Sequence, residues 1–241
     1  MMKALLIGLA CIGAYVEQVQ MASVNDVDCT KYEQVLEESG PAQAWSFMSD
    51  KYKIPTNADE FSKSCEVAFD ALKIMKKYNK ECAANLTKQF MGAILNTRTK
   101  YLDSCCVRDS PDNKANIATS KCAHDHSEPF KKLEEKYIRK LNGIYDANLA
   151  DSKDRIRHTC CATEQIKKDF LAAAKENCPD HEKTIESYID SYISEALSLV
   201  CPSKEKLDCD NLEALKIDQS APLKSAFYLK PVKLILNTLD T

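Results

Sequence analysis

The sequence predicts an all-α fold: a disulfide-stapled helical bundle built from two related helical repeats. Three observations point that way. Only five glycines occur in 241 residues, too few for a turn-rich β-sandwich or for glycine-rich phosphate loops. Apolar residues recur at roughly helical period over several long stretches. Two cysteine triplets also share one spacing: sixteen and then twenty-two residues separate Cys65, Cys82 and Cys105, and likewise Cys161, Cys178 and Cys201. No further cysteine interrupts either triplet, which suggests an internal duplication. The expected organisation is a leader over 1–22, a first cysteine-rich repeat over 23–121, a second over 122–210, and a tail over 211–241.

The leader rests on Met1-Met2-Lys3 followed by an apolar run over 4–16. A short basic start and a short apolar stretch make a secretory signal peptide, with cleavage expected within 14–22. The run is too short to span a bilayer, and Lys224, Lys230 and Lys233 interrupt the mildly apolar stretch over 223–239. The expected product is secreted and extracellular, with no membrane partner. Cys11 would leave with the leader, and eleven cysteines would remain. An odd number leaves one thiol free or available for a second chain, so a disulfide-linked dimer is one expectation.

Beyond Cys29, a short helical stretch over 32–39 ends at Gly40-Pro41. Pro41 starts a second helix containing Trp45, Phe47 and Met48, which Ile54-Pro55-Thr56 breaks. Asn57 or Asp59 caps a longer helix with a broad stripe of Phe61, Cys65, Val67, Phe69, Leu72, Ile74 and Met75. Another helix lies between Cys82 and Cys105, its buried face supplied by Leu86, Phe90, Met91, Ile94, Leu95 and Tyr101. Residues 109–113, Asp-Ser-Pro-Asp-Asn, read as a loop by turn chemistry. A charged helix starts at Ser127-Glu128-Pro129 and carries Leu133, Tyr137, Ile138, Leu141, Ile144 and Tyr145. The second copy's counterpart begins at Pro179, with Ile185, Tyr188, Ile189, Tyr192 and Ile193 in its stripe. A short helical segment follows Cys209.

Cys29, Cys65, Cys82, Cys105, Cys106, Cys122, Cys160, Cys161, Cys178, Cys201 and Cys209 are all disulfide candidates in an oxidising compartment. A zinc site wants close C-x2-C pairs, and a redox enzyme wants C-x-x-C; neither motif is present. The shared spacing suggests Cys65–Cys105 and Cys161–Cys201 as equivalent bridges, with Cys106 reaching Cys122 across the junction. The odd thiol is expected outside the triplets, among Cys29, Cys106, Cys122, Cys160 and Cys209.

Little in the chain suggests catalysis, and no catalytic residue, metal or cofactor is expected. His124-Asp125-His126 is the one histidine cluster, and it reads as a solvated acidic loop rather than a metal site with Glu128. His158 lies near the Cys160-Cys161 doublet, but those thiols are expected to be oxidised. His181 reads as exposed. Glu134-Glu135 reads as a solvated charged face, since neighbours on a helix diverge. No G-x-S-x-G elbow occurs. With 33 basic and 36 acidic residues the chain is nearly balanced, which argues against a nucleic-acid partner. Asn85-Leu86-Thr87 is an acceptor for N-glycosylation.

A leader, a helical cysteine-rich chain, the C-x16-C-x22-C spacing of Cys65, Cys82 and Cys105, and the sequon at Asn85 together resemble the arthropod 27 kDa haemolymph glycoprotein family. These residues cover less than a third of the chain; the doublets and the second triplet depart from the family pattern. The resemblance implies a protein of an extracellular fluid and carries no catalytic residues. The expected function is therefore non-enzymatic binding of an extracellular protein partner, as in haemolymph, saliva or venom. The alternative is a carrier in which Phe69, Phe90, Tyr188 and Tyr192 line an internal cavity for a small apolar ligand.

Overall fold

The computed structural model describes Cys29 and residues 53–83, 85–147, 149, 152–201, 207–215 and 217. The leader, the helices expected over 32–48 and most of the tail lie outside the described residues. Within them the chain is all-α and disulfide-stapled, with no strand. Six helices run in order: α1 Ala58–Glu81, α2 Asn85–Cys105, α3 Pro111–Asp125, α4 Ser127–Asp146, α5 Ser152–Asn177 and α6 Glu182–Val200. Short 3-10 turns occupy Pro179–His181 and Cys209–Asn211.

Asn57 caps α1 through its side chain, which accepts from the Glu60 amide at 3.0 Å. In return the Glu60 carboxylate accepts from the Thr56 amide and hydroxyl. The helix buries Phe61, Cys65, Ala68, Ala71, Leu72 and Tyr78, steps of three, four and seven that keep one face inward. Val67, Phe69, Ile74 and Met75, counted in the expected stripe, are only half-buried, because that stripe was wider than the true contact face. Against α1, α2 presents Leu95, Leu102 and Cys105, and these residues form one continuous core. At about 1.5 Å per residue, the two helices make an antiparallel hairpin some 30–36 Å long.

The stretch read as a loop over 109–113 is a turn only as far as Ser110. Pro111 is already the first residue of α3, where its fixed φ and missing N–H suit the helix start. The Ser110 hydroxyl accepts from the Asn113 amide at 3.0 Å. Asp109 takes φ 63°, a left-handed conformation that aspartate tolerates better than most residues. The Asn113 side chain also donates to the Cys105 carbonyl at 2.8 Å, satisfying an end of α2 that would otherwise lack a partner.

Helix α4 lies along α5 through Leu141, Ile144 and Ala162, with Tyr137 and Leu215 packed against them. Glu134, expected on a solvated face, is 3% exposed. Its spacing explains this: it follows Phe130 by four and precedes Ile138 by four, so it shares their inward face. Glu135 lies to the side and holds Arg139 at 2.8 Å. Helix α6 packs across α2, with Val200 near Phe90 and Met91.

The bridges are Cys29–Cys82, Cys65–Cys106, Cys122–Cys178, Cys160–Cys201 and Cys161–Cys209. This corrects the expected pairings of Cys65 with Cys105, Cys161 with Cys201, and Cys106 with Cys122. In both halves the spacing argument chose the wrong member of a doublet. The bonded pairs Cys65–Cys106 and Cys160–Cys201 are each 41 residues apart, and adjacent helical residues point about 100° apart, so only one of each doublet faces its partner. Cys105, inside a triplet, is the free cysteine among the described residues, and its thiol is buried. The connectivity follows the same order in both halves: first to third and second to fourth, over 29, 65, 82, 106 and over 122, 160, 178, 201.

Leu102 is fully buried between α1 and α2. Leu102→Ala should lower unfolding free energy by about 3 kcal/mol in urea titration, while Val107→Ala, at a residue 56% exposed, should stay within about 0.5 kcal/mol.

Candidate functional site

A half-open cleft forms where α3 faces α6, closed by residues from every other helix except α1. Ile54 and Pro55, just before α1, form one lip. Asn116, Thr119, Ser120 and Ala123 come from α3 at spacings that keep them on one side. Phe130 from α4 and Phe170 from α5 lie 5.9 Å apart between ring centres. Ile185, Tyr188 and Ile189 of α6, with Tyr101 of α2, complete the wall. The enclosed volume is ≈ 80 Å³.

The wall is apolar apart from the α3 side, where most polar groups have partners. Tyr101 donates its hydroxyl to the Asn116 side-chain oxygen. The Asn116 amide donates to the Asp112 carbonyl at 2.8 Å, and the Thr119 hydroxyl to the Ala115 carbonyl at 2.8 Å. The cleft is therefore lined by carbon and by hydrogen bonds already made.

Behind it lies the buried Arg98 of α2, 8% exposed. Its guanidinium carbon is 5.1 Å from the Tyr101 ring centre and 5.4 Å from that of Tyr188. The two rings meet edge to face at 6.0 Å. Arg98 also donates to the Ser191 hydroxyl at 3.0 Å, and that hydroxyl donates to the Tyr188 carbonyl at 2.6 Å. A cation held on two ring faces and tied to α6 fixes both tyrosines in place. Neither Arg98 nor the cleft was legible in the sequence. Arg98 follows Leu95 by three and precedes Leu102 by four, so it sits within an apolar stripe; that is the one signal the sequence offered.

The residues expected to carry chemistry do not converge. His124, Asp125 and His126 are exposed at the end of α3, a helix rather than an extended loop. Asp125 is held by Lys121 at 2.6 Å and His124 at 3.2 Å, and the Lys121 bond draws its carboxyl below the usual range. Among the described residues no three or more His, Cys, Asp or Glu side chains group as a metal site would require. His181 is half-buried in the turn before α6. Of the four aromatics expected around a carrier cavity, Tyr188 lines the cleft. Phe69 and Phe90 pack in two other clusters, and the Tyr192 side chain lies outside the described residues. Asn85 opens α2, and its side chain too lies outside the described residues.

Between α1 and α2 lies a second, wider hollow of ≈ 270 Å³, lined mainly by polar residues such as Lys76, Asn79, Asn96 and Thr99. It is too polar and open to enclose an apolar group. No helix among the described residues is long and apolar enough to cross a membrane. Comparison with family models, curated proteins and solved structures returned no match.

His158 is buried beside the doublet cysteines, 7% exposed, and desolvation holds its imidazole below the usual value. The unfolded chain binds the proton near pH 6.5, the folded chain only at lower pH, so stability should fall as pH drops through about 6.5 and level off below the folded value. Urea midpoints from pH 8 to 5 should show this loss in the wild type and not in His158→Gln.

Proposed function

We propose that this chain is a secreted, non-enzymatic binding protein whose cleft seats one apolar group of an extracellular protein partner. The observation carrying this reading is the cleft's size joined to its chemistry: ≈ 80 Å³, aromatic and aliphatic, with its polar side largely satisfied. Pockets for ligands of drug size measure about 300–1,000 Å³, and even a benzene-sized guest occupies a cavity of about 150 Å³. A single aliphatic or aromatic side chain inserted from a partner fits better, and buried anchors of that kind dominate the energy of protein interfaces. A carrier would need the cleft to widen about twofold for a benzene-sized guest and at least about fourfold for a drug-sized one.

Five disulfides support an oxidising, extracellular setting, as does the basic and apolar N-terminal run. The repeated first-to-third and second-to-fourth connectivity supports two related helical repeats over 23–121 and 122–210. With the sequon at Asn85, these features suit a glycoprotein of a body fluid or gland secretion, the setting implied by the haemolymph glycoprotein resemblance.

Two measurements test this. Native mass spectrometry of the secreted chain should show the polypeptide, with any glycan at Asn85, and no bound lipid; a stoichiometric apolar ligand would replace this reading with the carrier. A photo-crosslinking side chain at Thr119 should capture a protein from the native fluid where the same group at Lys63 on α1 does not. Ser120→Trp, which fills the cleft, should reduce capture by about tenfold or more. Equal capture from both positions would overturn the assignment of the cleft.

A further inference from the structure

We propose that the polar hollow between α1 and α2 is a carbohydrate subsite that seats one pyranose ring. It shares no lining residue with the α3–α6 cleft, so the two sites stand independently. Lys76 and Asn79 of α1 face Gly92, Leu95, Asn96 and Thr99 of α2 across ≈ 270 Å³. A benzene-sized guest occupies about 150 Å³, so one six-membered ring with its hydroxyls fits that space.

The lining suits a ligand that both donates and accepts hydrogen bonds. Asn79 donates through Nδ2 to the Lys88 carbonyl at 3.2 Å, which fixes its amide so that Oδ1 is the free end. That oxygen is buried and has no donor. Because the side chain is only half-buried, a small rotation turns the oxygen toward the hollow. Thr99 donates its hydroxyl to the Leu95 carbonyl at 2.6 Å and keeps oxygen lone pairs for accepting. The exposed Lys76 ammonium and Asn96 side-chain amide add donors and have no partner among the described residues. One cation and no carboxylate line the hollow, which favours a neutral polyol over a metal ion or a multiply charged anion. Sugar hydroxyls both donate and accept, and the carbon face of the ring can rest on Leu95 and the bare Gly92 backbone.

Gly92 points the same way. Glycine inside a helix weakens it relative to alanine, so an interior glycine calls for a reason. Packing gives none: a Cβ built there would meet only the Asn79 Nδ2, at an ordinary 3.8 Å. The missing side chain instead gives the hollow its depth. An attachment point for sugar lies on this same face of α2. Asn85, Gly92, Asn96 and Thr99 follow one another by seven, four and three residues, so their positions fall within an arc of about 60°. Asn85, the acceptor of the sequon, stands about 10 Å from Gly92 along the helix axis.

Two sources can supply the ring: the first sugars of a glycan on Asn85, or a free saccharide. The first rests on glycosylation at Asn85, as proposed above; the second does not.

The full chain would be compared with and without its glycan, the latter as Asn85→Gln or after enzymatic removal from the folded protein. A chain secreted without glycan serves directly as the glycan-free form. Proton–nitrogen NMR spectra would follow the Gly92 amide and the Asn79 and Asn96 side-chain amides while N-acetylglucosamine, mannose or glucose is added. In the glycan-free chain at least one of these sugars should shift all three signals at millimolar concentration and leave the Val107 amide unmoved. Gly92→Gln, a better helix former whose side chain fills the hollow, should weaken the response by about tenfold or more. If the chain's own glycan is seated, the three signals of the glycosylated form are already displaced and added sugar moves them little. Equal responses in both forms assign the site to a free saccharide. No shift from any of the sugars in the glycan-free chain, or a response that Gly92→Gln leaves unchanged, would overturn the proposal. If Gly92→Gln fails to fold, Lys76→Ala, at an exposed side chain, takes its place with an expected loss of about threefold, and an unchanged response counts the same way.

Discussion

The architecture depends on where the disulfides enter the helices. In each half, one bridge ties the cysteine just beyond a long helix back to an earlier segment: Cys82 to Cys29, and Cys178 to Cys122. A second bridge ties the interior of that helix to the end of the next: Cys65 to Cys106, and Cys160 to Cys201. The α1–α2 and α5–α6 hairpins are thereby each cross-linked from the interior of one helix to the end of the next, which resists sliding and splaying of those two pairs. In the loop-entropy account, closing loops of 41 to 56 residues is worth about 4 kcal/mol for each bridge taken alone. Interlocking loops share part of that entropy, so the contributions do not simply add. The constraint matters in a chain whose mean hydropathy is −0.39 and whose core is divided into several small clusters.

With the hairpins fixed, the packing of α2 across α6 becomes the central joint. Arg98 stands at that joint, and a buried guanidinium is costly to desolvate unless its charge is met. Here two tyrosine faces and the Ser191 hydroxyl meet part of it. The same two tyrosines form the back of the cleft, so the element that locks the joint also shapes the concave surface. Structure and proposed binding are coupled through one side chain.

Several features were legible along the chain because they depend on neighbours in sequence. The Asn57 cap and the start of α4 at Ser127 are local chemistry; Pro179 opens a 3-10 turn three residues before α6 rather than α6 itself, and Pro111, read as part of a loop, is the first residue of α3. The existence of α1 and α2 and part of their buried faces were readable, Phe61, Cys65 and Leu72 in one and Phe90, Met91 and Leu95 in the other, although the expected stripes were too wide and missed Ala68, Tyr78 and Leu102. Other features were not. The identical sixteen and twenty-two residue gaps suggested pairings that helix phase forbids, because a one-residue step turns a side chain by about 100° and moves its sulfur away from the partner. Glu134 was misread for a different reason: its phase, four residues from both Phe130 and Ile138, is present in the sequence, but its charge suggested a solvated face.

The sequence by itself determined the class of this protein: helical, cysteine-rich and cross-linked, with helices starting where their caps and prolines place them. These properties follow from composition, periodicity and local hydrogen bonding, which act over a few residues. Tertiary structure decided which member of each cysteine doublet is bonded, which thiol stays free beside a disulfide, and where an apolar cleft opens. Those outcomes depend on the phase and crossing of helices far apart in the chain, and such geometry exists only after packing.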